Sequence, residues 1–149
     1  MAYDTIIYGC IDCVCTPGRD DWRLLWTLNN AVIADLPHQT GRSLLSRNLF
    51  SVEEGSHRIQ VIHFGAAFKN FAPNWHGWLE EFEGLLRRLY WNTARVQLEG
   101  AELGQIVCRW TVKNDSWQLA LQQPPVLQVD WDFTWQTEHG VDPRQIQGS

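Results

Sequence analysis

The sequence predicts an α+β fold, a mainly antiparallel sheet with two helices packed on one of its faces, and three observations lead there. Two segments, 22–36 and 75–90, repeat their apolar residues at helical spacing. Elsewhere the apolar residues fall in runs of strand length, and from Arg95 onward these runs follow one another through polar turns, as in an antiparallel meander. The ten residues Leu127–Gln136 alternate apolar and polar without a miss, which gives a strand with two unlike faces. The order β-α-β-β-α-β-β-β-β contains a ferredoxin-like β-α-β-β-α-β core plus extra C-terminal strands. Each helix has an apolar face to cover, and a shared sheet face covers both.

Tyr3 to Cys15 reads as a near-continuous apolar first strand, ended by the turn chemistry of Pro17-Gly18. Asp20 or Asp21 caps a helix starting near Trp22, with Trp22, Leu25, Trp26, Leu28, Val32 and Ile33 on its apolar face and Leu36-Pro37 as its stop. A polar connection through Thr40-Gly41-Arg42 leads to a hairpin of Leu49–Glu53 and His57–Phe64 around Glu54-Gly55-Ser56. Gly65 to Pro73 reads as an irregular connection exposing Phe68 and Phe71, and Asn74 as the N-cap of the second helix. On that helix Trp75, Trp78, Leu79, Phe82, Leu85, Leu86, Leu89 and Tyr90 share a face, with Glu83 and Arg87 spaced for an i,i+4 pair on the other. Strands follow at Arg95–Glu99, Gln105–Val112, Trp117–Gln122 and Leu127–Gln136. Residues 1–137 form one domain on this reading, and 138–149 a mobile polar tail.

Composition narrows the function. With 149 residues and 44% hydrophobic content the chain is sized for one core. Its net charge of −5, with no basic run longer than Arg87-Arg88, argues against nucleic acid and for a cationic partner drawn in by electrostatic steering. No basic leader with an apolar core and no spanning-length apolar run is seen, so neither secretion nor a membrane anchor is expected. Cys10, Cys13 and Cys15 are crowded while Cys108 is distant, unlike a disulfide scaffold, which points to reduced thiols in a cytoplasm.

Chemistry-bearing patterns are sparse. On an extended strand Cys13 and Cys15 face away from Cys10, so no metal is expected there and the thiols read as small buried hydrophobes. None of His38, His57, His63, His76 and His139 has the spacing of a zinc helix motif, and there is no phosphate loop, nucleophile elbow or dinucleotide fingerprint. Asp130 and Asp132 share a strand face about 7 Å apart, a spacing compatible with paired carboxylates and also with an ordinary polar face. No cofactor is expected.

The opening strand Asp4-Thr5-Ile6-Ile7-Tyr8-Gly9 and the Trp-rich closing strands of this short acidic chain resemble the immunity proteins of bacterial polymorphic-toxin systems. The resemblance implies an inhibitor that fits one toxin domain, with acidic and aromatic residues occupying a basic substrate cleft. Asp130 and Asp132, with Trp131, Trp135, Phe68 and Phe71 nearby, are the expected contact residues. Two alternatives stay open: an enzyme for a small molecule or carbohydrate built on His63, His76 and the aspartate pair, and a self-associating domain whose surplus aromatics bury a homodimer interface. On the last strand the rings are expected to face the core and the acids solvent, because burying rings gains free energy while burying carboxylates costs it.

Overall fold

The computed structural model of the chain describes residues 4–14, 22–37, 45–54, 59–113 and 130–146. The expected strand Trp117–Gln122, the start of the last strand at Leu127–Val129, the turn at Pro17-Gly18, the caps Asp20 and Asp21, the connection Thr40-Gly41-Arg42, and Cys15, His38 and His57 lie outside these residues.

The first strand, β1 (Thr5–Val14), alternates Thr5, Ile7, Ile11 and Cys13 onto a buried side. It pairs with β3 (Ile59–Phe68) on one side and β4 (Thr93–Gly100) on the other. β2 (Phe50–Glu54) adds to β3, while β5 (Gly104–Val112) and β6 (Trp131–Thr137) extend the sheet beyond β4. Among the described residues the result is a six-stranded sheet of order β2-β3-β1-β4-β5-β6 with every neighbouring pair antiparallel, so the order is longer than that of a four-stranded ferredoxin-like sheet. β3 also runs four residues past its expected end. Alternation does not stop at Gly65: Ala66 and Phe68 take the same side as Phe64, opposite Ile7 and Thr5.

Both helices, α1 (Trp22–Ala34) and α2 (Trp75–Leu86), cover one sheet face. Gln60 and Phe64 are four apart on β3 and therefore share that face. Gln60 bonds to α1, and the Phe64 ring meets Trp78 and Phe82 of α2 at centroid distances of 6.2 and 5.3 Å. Rings then continue across the sheet, from Phe50 through Phe64, Phe82 and Trp110 to Phe133, each step 5.2 to 5.7 Å. Such tilted contacts each add about 0.5–1.5 kcal/mol beyond area burial. Gly9 is required under this layer, because a Cβ there would lie 2.7 Å from the Phe64 ring and 2.0 Å from the Arg95 carbonyl.

On α1 the buried side is Leu25, Trp26, Asn29 and Ile33, whereas Leu28 is 40% exposed, contrary to expectation. Position 29, not 28, is one turn from both 25 and 33. The Asn29 amide earns that place through hydrogen bonds: its Nδ2 donates to Gln60 Oε1 (3.1 Å) and to the Tyr90 carbonyl (2.9 Å), and its Oδ1 accepts from the Tyr90 N–H (2.8 Å). Gln60 Nε2 in turn donates to Asn30 Oδ1 at 2.9 Å. A satisfied buried network of this kind ties α1 to β3 and to the turn before β4.

α2 ends earlier than its stripe, at Leu86, although Leu89 remains buried beside it. Asn74 precedes the helix without a side-chain cap bond. The expected Glu83–Arg87 ion pair does not form: Arg87 Nη1 donates to the Glu83 main-chain carbonyl at 3.3 Å, while the Glu83 carboxylate is used elsewhere. Glu83 accepts from Trp110 Nε1 (3.1 Å) and pairs with Arg144 (2.8 Å), and the Arg87 guanidinium lies 4.5 Å over the Trp131 ring. The segment read as a mobile tail is anchored on α2 as far as Ile146. Pro143 is buried, its carbonyl accepts from Trp75 Nε1 at 3.0 Å, and Arg144 lies 4.3 Å over Phe133.

Candidate functional site

The strand singled out by the sequence takes the expected orientation. Trp131, Phe133 and Trp135 stand opposite Val112, Trp110 and Cys108 on the helix-covered side, which turns Asp132, Thr134 and Gln136 to the other side. Trp131 and Phe133 are half-buried against the core, Trp131 within 5.9 Å of the Trp91 ring. Trp135 is 37% exposed, at the rim. Asp130 is exposed just before β6, and its carbonyl accepts from the Lys113 N–H. Asp132 pairs with Lys113 Nζ at 3.6 Å, an exposed contact worth about 0–1 kcal/mol.

Phe68 and Phe71 do not form an exposed aromatic pair. Phe71 is buried and Phe68 half-buried, their rings 4.8 Å apart. Phe68 ends β3 on its inward-facing side, and Asp4 fastens the turn that follows. The Asp4 carboxylate accepts from the Thr5 hydroxyl and the Asn70 N–H, and these bonds hold its carboxyl below the ordinary 3.8.

The feature that sequence reasoning missed is the sheet face opposite the helices. Ile6 and Tyr8 of β1 are 48% and 37% exposed there, and the partly exposed Val61 of β3 and Val107 of β5 lie elsewhere on the same face, Val61 opposite Asp12 and Val107 one strand beyond Gln97. Tyr8 donates to Glu99 at 3.3 Å. Residues in register form rows across the strands. One runs His63, Cys10, Arg95, Arg109 and Thr134, and the next runs Val61, Asp12, Thr93, Thr111 and Asp132. The face is thus striped: acidic groups mark one row and two arginines the middle of its neighbour. The signal for it was the alternation in β1, β4 and β5, whose second faces carry Ile6, Tyr8, Arg95 and Arg109.

Reactive chemistry finds no assembled site among the described residues. His63 lies on the open face, His76 is exposed on the outer side of α2 across the sheet, and Asp132 stands four strands from His63, about 19 Å away. Proton transfer between such groups lacks contact. Burial, and secondarily Asp12, pushes the Cys10 thiol up, and burial raises Cys13 and takes Cys108 to about 12. These thiols are protonated at neutral pH, and no group of three His, Cys, Asp or Glu residues among the described ones is placed to hold a metal ion. A depression between α1 and β2 has Arg47 as its one charged lining residue, with neither acid nor base in its wall among the described residues. No helix among the described residues is long and apolar enough to cross a membrane. Comparison with protein-family models, with curated proteins and with solved structures gives no match to this chain.

Proposed function

We propose that this chain is a cytoplasmic protein-binding domain of the immunity type, built on a ferredoxin-like core, which inhibits a toxin domain by covering its basic substrate cleft. The reading rests on one observation above all: a sheet layered by helices on one side leaves Ile6 and Tyr8 exposed on the other. Exposed apolar groups rimmed by charge mark a surface that a partner buries. Size agrees with this. Six strands about 4.8 Å apart and some seven residues long span roughly 24 by 23 Å, a flat area of about 550 Å², which is about two-thirds of the about 800 Å² that each partner contributes to a standard interface. Asp12 and Asp132 on this face, with Asp130 beside it, meet basic groups of the cleft, and Trp135 extends the contact at the rim.

The gene neighbourhood gives the first test. A toxin-like C-terminal domain encoded directly upstream is expected, and a neighbourhood of metabolic genes would overturn the reading. With that domain purified, the chain is expected to form an equimolar complex that blocks its activity. Asp130→Asn combined with Asp132→Asn should slow association and flatten its salt dependence without changing the melting temperature. Absence of a complex at micromolar concentrations would refute the proposal, and a concentration-dependent homodimer in its place would favour self-association through the same face.

A further inference from the structure

We propose that Arg95 and Arg109 form a seat for a carboxylate of the protein partner, at the centre of the open sheet face. This rests on the protein-binding reading and adds an acidic contact to the basic ones. The two residues are directly opposite each other on β4 and β5, and both are exposed. Like charges facing each other across a strand pair repel and destabilise the sheet. Several other described cations are matched: Arg88 pairs with Asp35, Arg144 with Glu83 and Lys113 with Asp132, and Arg87 lies over the Trp131 ring. Among the described residues neither Arg95 nor Arg109 has a carboxylate within ion-pair distance, although Asp12 and Asp132 occupy the adjacent row. The repulsion is therefore left for an incoming anion to relieve.

The surroundings select the anion. Guanidinium forks pair bidentately with carboxylates and phosphates. Val107, half-exposed, and Tyr8 lie in the row beside the pair, so an arriving protein surface displaces water from the ion pair and strengthens it. A nucleic acid would carry many further phosphates onto a chain of net charge −5, beyond what two arginines can meet. A single acidic side chain of a protein incurs no such repulsion. The resulting face reads a partner by alternating charge, basic groups over Asp12 and Asp132 and an acidic one over the arginines, which fixes register as well as affinity.

The test follows the arginine Nε–H resonances of the ¹⁵N-labelled full chain, assigned with the Arg95→Gln and Arg109→Gln variants, during titration with acetylated polyglutamate peptide, sodium phosphate or oligouridylate at constant ionic strength. The peptide is expected to shift both resonances together and to bind more tightly than phosphate or RNA. Resonances that stay in place, or a tighter response to phosphate or RNA, would overturn the proposal. In the toxin-domain assay, R95Q/R109Q is expected to weaken binding by about thirtyfold, the scale of an interface hot spot. Its melting temperature should be equal or higher, since the cross-strand repulsion is gone, which separates lost binding from lost folding. Equal binding by wild type and double variant would remove the carboxylate seat and leave the protein-binding reading standing. A wild type that ignores the toxin domain while its arginines still answer the peptide would do the reverse.

Discussion

Phe82→Ala tests the packing of the helix layer most directly. The ring is fully buried, stacked on Trp78 at 5.2 Å and 7°, and tilted against Phe64 at 5.3 Å and Trp110 at 5.2 Å. Removing a buried phenyl costs about 3–5 kcal/mol, the larger values arising where the surroundings do not collapse into the space. Collapse is hindered here, because the cavity walls are rings held on three different elements, α2, β3 and β5. A loss of about 4–5 kcal/mol is therefore expected. For a chain of this size each kcal/mol lowers Tm by about 2–4 °C, which predicts a fall of about 8–20 °C. Thermal unfolding by near-ultraviolet circular dichroism checks the shift, and urea unfolding with an unchanged m-value checks that the native state remains compact. Phe82→Leu, which keeps most of the volume, should cost about 1.5 kcal/mol. A fall of less than about 3 °C for the alanine variant would show that α2 does not pack on the sheet through this ring.

Two further predictions concern hydrogen bonds. Trp78 Nε1 is buried with no partner among the described residues, whereas Trp75 Nε1 donates to Pro143 O and Trp91 Nε1 to Leu86 O at 2.7 Å. Trp78→Phe should accordingly destabilise less than Trp75→Phe or Trp91→Phe by about 1–3 kcal/mol, the cost of stranding a buried acceptor; equal losses in urea unfolding would contradict this. Asp4 is held below its ordinary 3.8 first by the Thr5 hydroxyl and then by the Asn70 N–H, so the unfolded chain binds its proton more readily than the folded one. Its contribution is full above pH 3.8 and is lost as pH falls through the lower folded value. Asp4→Asn should flatten the acid limb of Tm against pH, and an unchanged limb would refute the assignment.

The parts of the fold governed by repeated pattern were legible in the sequence. Alternation in β6 gave its ring side and its acid side, and the stripe on α2 gave every residue from Trp75 to Leu86 that is buried. Single polar residues inside those patterns were not legible. Asn29 sits on the apolar stripe of α1 because Tyr90, sixty-one residues on, satisfies both ends of its amide. Glu83 forgoes Arg87 because Arg144 and the Trp110 indole reach it first. Phe71 reads as a loop aromatic until the turn held by Asp4 folds it inward. The open face escaped notice for a related reason: each strand contributes only two or three exposed residues, and their union into charged rows depends on a register that no single segment encodes.

The central place of β1 shapes how the chain is made. Its pairings join residue 5 to residues 68 and 100, so both edges of this apolar strand wait for segments synthesised much later. At roughly 5–20 residues per second that interval lasts several seconds, and contacts of such long sequence separation also form slowly once the chain is free. During it, the backbone groups of β1 are open templates for pairing with other chains. Crowded overexpression is therefore expected to favour aggregates seeded by the segment Thr5–Val14, and dilute synthesis to suppress them.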